Sequence, residues 1–177
     1  MELMQAILTR RSIRSFERDK PVPKEMIRTL LQAAMRAPSA RNQQTWCFVV
    51  IEDREILDTI PTFSPNSKMC ESAPMAIVVC GDLKRESQQE GFWIQDCSAA
   101  IQNILLTAHS LGLGAVWTAV HPKSNHVSNA QKLFSLPAHI VPLAIVPVGW
   151  PAEKVDPVDT FDPKRIYLNC WGDEYPF

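Results

Sequence analysis

The chain has 177 residues, 46% of them apolar, and its 18 basic and 19 acidic side chains nearly cancel. This composition predicts a single domain over residues 1–177, with a core that needs neither disulfides nor metals. The near-neutral charge argues against a protein that binds nucleic acid, and the longest apolar run, nine residues with two prolines, excludes a membrane-spanning helix.

The first half of the chain predicts three helices and two strands. Apolar residues recur at helical spacing over residues 2–9 and again over about 24–36, after a proline-rich break. The apolar, β-branched runs at 46–51 and 75–80 predict strands buried on both faces. Between them, the charged residues 52–55 predict the start of a further short helix.

The second half predicts the longest helix and two more strands. Residues 91–111 have an apolar stripe at helical spacing, and Gly112 is placed to end that helix. Residues 115–120 predict a third strand and residues 124–134 a further helix. A fourth strand is predicted over 140–148, where two prolines place it at a sheet edge or force bulges.

The order of these elements predicts the architecture. Strands that alternate with helices favour an α/β or α+β sandwich in which helices cover a sheet. Residues 151–177 show no period and contain four prolines and several aromatic side chains. We expect this segment to form an extended arm that docks on a partner surface.

An arginine-rich segment, Arg10-Arg11-Ser12-Ile13-Arg14, is the first candidate site. Residues 1–41 contain nine basic and four acidic side chains, whereas the remaining 136 residues carry a net charge of −6. The six glycines are too scattered to form a phosphate-binding loop, so we expect side chains to supply much of the contact with any phosphate. Guanidinium groups bind phosphate by charge-assisted hydrogen bonds, although such a cluster is also common on solvated surfaces.

The second candidate is the polar loop over residues 37–46, APSARNQQTW, between a predicted helix and a predicted strand. Its Asn and Gln amides offer donors and acceptors that suit the edge of a heterocycle. The alternative is an ordinary capping loop.

Three motifs, RRSIRSF, APSARNQQTW and HSLGLGAVW, follow one another in an order that resembles the nitroreductase family of FMN-dependent oxidoreductases. The resemblance extends from about residue 4 to residue 171. It implies an α+β, three-layer sandwich in which helices flank a mixed, mostly antiparallel sheet. It also implies a homodimer with FMN at the subunit interface, which takes hydride from NADH or NADPH and reduces nitroaromatic, quinone or related acceptors by a ping-pong mechanism.

The resemblance further implies which residues contact the cofactor. The phosphate and ribityl chain would be held by Arg10, Arg11, Ser12 and Arg14, with Lys164 or Arg165 as a late basic contact. The ring would lie near Asn42, Gln44, Trp117, Thr118 and Ala119, with Pro38 and Ser39 from the partner subunit. No catalytic side chain is implied, because the chemistry takes place at N5 of FMN. The sequence departs from the family pattern at Thr45, where proline is common, and at Ala119 and Thr160.

Other interpretations remain open at this point. A flavin-binding or flavin-storage module without turnover would use the same residues, and a nucleotide- or RNA-binding protein would use the basic N-terminal region. The four histidines and five cysteines lack metal-ligand spacing, so we expect no metal site. The cysteines are expected to be reduced thiols, and because the first residues do not resemble a signal peptide we expect a cytoplasmic protein.

Overall fold

An antiparallel sheet of five strands organises the fold. The structure is a computed structural model that describes residues 1–88 and 90–177. The strands are β1 (Trp46–Ile51), β2 (Met75–Asp82), β3 (Gly114–Ala115), β4 (Thr118–Ala119) and β5 (Ile140–Gly149). Across the sheet the order is β1-β2-β5-β3, with β4 beside β5 on the same edge as β3. Each of these four pairings is antiparallel.

Helices cover both faces of this sheet. They are α1 (Leu3–Thr9), α2 (Lys24–Ala34), α3 (Arg54–Phe63), α4 (Trp93–Ser110) and α5 (Ser124–Leu133), with 3-10 turns at Ala40–Asn42, Pro65–Glu71 and Pro163–Arg165. Alternate residues of β2 point to opposite faces, because side chains alternate along a strand. Ile77 and Val79 pack with α2 and α4, whereas Ala76 and Val78 pack with α3 and α5. The result is the predicted α+β arrangement of three layers.

The long helix α4 is the most deeply buried one, as its apolar stripe predicted. Cys97, Ile101, Ile104 and Ala108 along it are fully buried. Gly112 follows the end of the helix with a φ of +77°, a left-handed conformation that glycine adopts without strain. The predicted α2, α3 and α5 and the predicted strands β1 and β2 are also confirmed. As an edge strand, β1 is only half-buried over most of its length, whereas β2 is buried as predicted.

Two predicted strands differ in part from the observed ones. The fourth predicted strand, β5, lies inside the sheet between β2 and the pair β3 and β4. Its register with β2 shifts opposite Val79 and Cys80, so the bulge was predicted correctly and the edge position was not. The predicted strand over 115–120 is divided into β3 and β4 opposite Pro147. The Val116 amide donates to the Pro147 carbonyl at 3.4 Å, but proline has no N–H to return a bond, which interrupts the ladder.

Residues 151–177 form an arm with little regular structure. Within the arm, Tyr167 and Glu174 form an isolated antiparallel bridge. Several large apolar side chains of the arm are exposed, Trp171 to 88% and Phe177 to 77%. The five cysteines are free thiols, and burial raises the pKa of Cys70 to about 12. Of the helices in the described part of the chain, none has the length and apolar character that crossing a bilayer requires.

Candidate functional site

The arginine-rich segment is extended and is anchored by its apolar residues. Ile13 and Phe16 are buried, and the Ile13 amide donates to the Ala115 carbonyl at 3.1 Å. Between these anchors Arg14 is exposed. Considering residues 1–88 and 90–177, no carboxylate lies within ion-pair distance of Arg10, Arg11 or Arg14. None of these three neighbouring guanidinium groups therefore forms an ion pair with a described acidic side chain, although Asp159 lines a common cleft with Arg10 and Arg11.

These arginines line two clefts. A cleft of about 310 Å³ is lined by Arg14, Asn66 and the segment Val116–Ala119. Trp117 is 36% exposed at this cleft. A second cleft of about 920 Å³ contains Arg10 and Arg11, together with the end of α1 and residues 157–161 of the arm. The Arg11 guanidinium donates to the Asp156 carbonyl, which ties the arm to the arginine segment.

A buried chain of hydroxyl groups supports the smaller cleft from below. The Thr118 hydroxyl donates to the Ile145 carbonyl at 2.7 Å and accepts from Ser67 Oγ at 2.9 Å. Because the Ser67 proton is used in that bond, the contact of 2.9 Å between Ser64 Oγ and Ser67 Oγ has Ser64 as its donor. The chain fixes the 3-10 turn that carries Asn66 against β4.

The loop between α2 and β1 has an unusual backbone. Arg41, Asn42 and Gln44 have φ values of 53°, 56° and 50°, in the left-handed region that L-residues with side chains rarely adopt. The buried carboxylate of Asp96, on α4, accepts from the Ala40 amide at 2.9 Å and from the Thr45 hydroxyl at 2.9 Å. Thr45, where the family resemblance leads us to expect proline, is thus a buried hydrogen-bond donor. Both ends of the loop are attached to α4.

Within this loop the polar groups are also connected to one another. The Gln44 amide N–H donates to Ser39 Oγ at 2.9 Å, and Gln44 Nε2 donates to Asn42 Oδ1 at 3.2 Å. Arg41 forms an ion pair of 2.8 Å with Glu90. The amide side chains of Asn42 and Gln44 nevertheless remain exposed.

The loop and the Arg14 cleft lie at opposite edges of the sheet. The loop leads into β1, whereas the cleft is formed at β4, and β2 and β5 lie between them. Neighbouring strands are about 4.8 Å apart, so three strand spacings separate the two groups by about 14 Å. Within one chain the loop and the Arg14 cleft therefore belong to two separate parts of the surface.

The comparison with known proteins identifies the family. The family model described as Nitroreductase family matches residues 7–66 and 63–150. The chain is 50% identical over 171 residues to a protein of Methanothermobacter thermautotrophicus provisionally named NADH dehydrogenase/NAD(P)H nitroreductase, a match that covers 97% of this chain and 88% of the relative. The chain belongs to the nitroreductase family.

Solved structures of similar proteins agree with this assignment. A crystal structure from Parabacteroides distasonis, of a protein with the same provisional name, matches with a TM-score of 0.91 and 43% identity over 96% of this chain and 98% of that one. An FMN-dependent nitroreductase of Clostridium difficile matches with a TM-score of 0.87 and 28% identity, over 95% of this chain and 99% of that one. The fold described above is thus the nitroreductase fold.

The structure brings the nitroreductase site residues predicted from the sequence together in groups. Arg14 lies with Trp117, Thr118 and Ala119 around the smaller cleft. Arg10 and Arg11 share the larger cleft, and Ser12 lies between them and Arg14 in the same half-buried segment. A third group, Pro38, Ser39, Asn42 and Gln44, belongs to the loop at the opposite edge of the sheet.

Lys164 and Arg165 belong to none of these three groups. They belong to the 3-10 turn of the arm, where Arg165 pairs with Asp162 at 3.0 Å and its side chain is 84% exposed. Among the residues that the structure describes, neither of these side chains lines the clefts of Arg10, Arg11 or Arg14. Their predicted contact with phosphate stays a prediction.

Four functional candidates were missed by sequence reasoning. They are Asn66 in the cleft, Ser67 beneath it, Asp96 beneath the loop and His109 behind the arginine segment. His109 Nε2 lies 2.8 Å from Thr9 Oγ1, and burial, reinforced by the charge of Arg10, lowers the pKa of His109. A signal existed for Asp96, because an acidic residue in the apolar stripe of a buried helix requires hydrogen-bond partners.

Proposed function

We propose that this chain is an FMN-dependent oxidoreductase that uses NADH or NADPH to reduce small-molecule acceptors, with residues 1–177 acting as one flavin-binding unit. The observation that carries the proposal is the set of guanidinium groups of Arg10, Arg11 and Arg14 that have no described acidic partner, in a member of the nitroreductase family. The names of its relatives, which include NAD(P)H nitroreductase and FMN-dependent nitroreductase, support the same activity.

The residues present fit an FMN phosphate. A dianionic phosphate at the arginine-rich segment would meet the guanidinium groups of Arg10 and Arg14, which form no ion pair with a described carboxylate, and the hydroxyl of Ser12. Guanidinium groups bind phosphate oxygens bidentately, which fixes direction as well as supplying attraction. Because the six glycines form no phosphate loop, these side chains would provide the main phosphate contacts. Lys164 and Arg165 would add to them if the arm moves when the cofactor binds.

The smaller cleft fits the edge of a polar ring system. Asn66 offers both a donor and acceptors there, and the Trp117-Thr118-Ala119 segment adds backbone groups. Bound FMN supplies the redox chemistry, since it accepts hydride from NADH or NADPH and returns the electrons to an acceptor such as a nitroaromatic or a quinone. The protein's own contribution is to bind, orient and shield the reacting ring, with no catalytic side chain required.

The proposed enzyme is a homodimer with a flavin site at each side of its interface. The loop that carries Ser39, Asn42 and Gln44 and the cleft that carries Arg14 lie at opposite sheet edges, and a pair of chains would bring the loop of one to the cleft of the other. An unpartnered apolar surface on α1 supports this assembly. Its large side chains Leu3, Met4, Ile7 and Leu8 are all exposed, as is the aromatic arm.

A spectrum of the purified protein tests the proposed activity. We expect flavin absorbance in the protein as purified or after reconstitution with FMN, bleaching on anaerobic titration with NADH or NADPH, and recovery when a quinone or nitroaromatic is added. A flavin-storage module would bind FMN but show no donor-dependent bleaching above that of free FMN. A protein that cannot be loaded with FMN contradicts the proposal altogether.

The oligomeric state has its own test. Leu3→Glu places a charge on the apolar surface of α1 at a side chain that is 67% exposed and lines neither arginine cleft. Light scattering should show a mass of two chains for the unaltered protein and a shift towards one chain for the variant, with FMN lost in parallel. Thr29→Glu, on the exposed side of α2, is the matched control and should stay dimeric. A flavin-loaded monomer would contradict the shared site.

A further inference from the structure

We propose that Asp96 is a positioning residue that sets the Ser39–Gln44 loop for contact with the flavin of the partner subunit. The inference rests on the proposed function, since it assigns a task within that flavin site. Asp96 touches neither cleft of its own subunit, and it would act through the loop alone.

The loop needs an external support for its conformation. Three of its residues, Arg41, Asn42 and Gln44, adopt left-handed backbone angles that cost free energy for any residue with a Cβ. Such a conformation persists only where the surrounding structure holds it. The contacts from Gln44 to Ser39 and to Asn42 stay within the loop. Those from Arg41 to Glu90 and from Gln43 to Ser87 reach the rest of the protein only at its exposed surface, so a buried attachment must come from elsewhere.

Asp96 provides that attachment at both ends of the loop. One carboxylate oxygen accepts from the Ala40 amide and the other accepts from the Thr45 hydroxyl, each at 2.9 Å. Asp96 is only 3% exposed and Thr45 is fully buried, so water does not compete for these bonds. Within residues 1–88 and 90–177 no basic side chain lies within ion-pair distance of Asp96, so its described bonding partners are the two ends of the loop.

The position of Asp96 makes the support rigid. It lies in the first turn of α4, the longest helix, and its neighbours on that helix, Trp93, Cys97 and Ala100, are buried. Movement of the loop relative to the core would therefore break a hydrogen bond to a buried carboxylate. A bond to a charged acceptor is stronger than one between neutral groups, and an unpaired buried carboxylate is costly.

The exposed amide side chains of the loop are suited to binding a polar ligand. The amides of Asn42 and Gln44 are exposed although the backbone beneath them is strained and fixed. Exposed polar side chains on a rigid support lose little conformational entropy when they bind, which is the advantage of a preorganised site. On this basis Asp96 determines flavin affinity without touching the flavin.

Two variants test this role. Asp96→Asn keeps the shape of the side chain but replaces one carboxylate oxygen with an NH2 group. That group cannot accept a hydrogen bond, so either the Ala40 amide or the Thr45 hydroxyl loses its acceptor. Thr45→Val removes only the hydroxyl end and leaves the bond to Ala40 intact. Ile60→Val, on α3 in the core on the other face of the sheet, is the control for a general loss of stability. For each protein we would measure FMN affinity by fluorescence quenching, the visible flavin spectrum, dimer mass and the urea midpoint without flavin.

The expected result is a graded loss of flavin binding. Asp96→Asn should raise the Kd for FMN about tenfold or more, because it removes the carboxylate charge and releases at least one end of the loop. Thr45→Val should raise it about threefold, because only the hydrogen bond from the Thr45 hydroxyl is lost. Both proteins should remain dimeric. The spectrum of bound flavin should shift in both, and Ile60→Val should change only the urea midpoint. If Asp96→Asn fails to fold, Thr45→Val decides the question.

Two outcomes would overturn the inference. One is a folded Asp96→Asn or Thr45→Val protein with the affinity and flavin spectrum of the unaltered chain. The other is an equal loss of affinity in Ile60→Val, which would show that stability and not loop position is responsible. An unaltered protein that binds no FMN would instead refute the proposed function, and the inference with it.

Discussion

Gly114 lies directly against Ile13 at the base of the arginine-rich segment. A Cβ added to the glycine would come within 2.7 Å of two Ile13 side-chain carbons, Cβ and Cγ2, closer than packed carbon atoms approach. The Ile13 amide also donates to the Ala115 carbonyl, so Ile13 fixes the distance between the arginine-rich segment and the sheet. Here glycine serves close packing, because its φ is ordinary and its missing side chain makes the room.

Gly114→Ala should therefore displace the arginine segment. We expect overpacking to lower the free energy of unfolding by about 1–3 kcal/mol. We also expect the Kd for FMN to rise about tenfold, since a displacement of Arg14 weakens its phosphate contact. Isothermal titration with FMN and urea unfolding measure the two effects.

Leu57→Ala is the control for the Gly114 variant. Leu57 is fully buried in the core on the side of α3, and its truncation should cost about 2–5 kcal/mol of stability. Because it does not touch the arginine segment, the affinity for FMN should not change. An unchanged affinity in Gly114→Ala as well would show that the segment adjusts without moving its arginines.

The arginines themselves are expected to contribute directly to binding. Arg10→Ala and Arg14→Ala should each weaken FMN binding by about 1.5–3 kcal/mol, the scale of a hydrogen bond to a charged group. Riboflavin, which lacks the phosphate, should lose little affinity in the same variants. Arg28→Ala, an exposed position on α2, removes the same charge outside the clefts and should leave both affinities unchanged. Equal losses for FMN and riboflavin would place the phosphate elsewhere.

Local sequence patterns predicted most of the fold but not the inner structure of the sheet. The apolar stripe of α4 and the apolar run of β2 predicted a helix and a strand correctly, because each of them packs its apolar side chains into the core as the pattern requires. The interruption between β3 and β4 depends on Pro147, some thirty residues away and across the sheet. The sequence of residues 115–120 alone therefore cannot predict that the strand is interrupted.

The candidate site was predictable where one segment contains its residues. The arginine segment and the 37–46 loop were both recognisable as single motifs. Asn66 and Asp96 were missed, because each gains its role only from a distant partner, β4 for Asn66 and the loop for Asp96. The separation of the two motifs across the sheet was also invisible in the sequence, and it is the main structural argument for two copies.

His109 should make stability depend on pH. Thr9 donates its hydroxyl proton to the Gln5 carbonyl at 2.7 Å, so the 2.8 Å contact with His109 has Nε2–H as donor. Burial, and then Arg10, lower the pKa of His109 below its ordinary value of 6.5. The unfolded chain therefore takes up this proton at a higher pH than the folded chain does. The free energy of unfolding should fall as the pH drops through 6.5 and should stop falling, for this group, below the lowered pKa.

Urea unfolding between pH 8 and pH 5 measures this effect. His109→Gln, which can donate a hydrogen bond without titrating, should flatten the slope just below pH 6.5. Bound FMN should reduce the slope only in part, because a phosphate at Arg10 offsets the charge of Arg10 but not the burial that contributes most to the lowered pKa of His109. Equal slopes in the unaltered and His109→Gln proteins would assign the pH dependence to other groups.

The hydroxyl chain beneath the cleft gives a prediction with an internal control. Ser67→Ala leaves the buried Ser64 hydroxyl without its acceptor and Thr118 Oγ1 without its donor. Ser64→Ala removes only the first donor of the chain, and Ser67 still donates to Thr118. An unpaired buried polar group costs about 1–3 kcal/mol, so Ser67→Ala should destabilise the protein more than Ser64→Ala, although both delete one oxygen. Ser67→Ala should also raise the Kd for FMN, because Asn66 loses the bond that holds its turn against β4. Equal losses of stability in the two variants, measured by urea unfolding, would contradict the donor and acceptor roles assigned to the three hydroxyl groups.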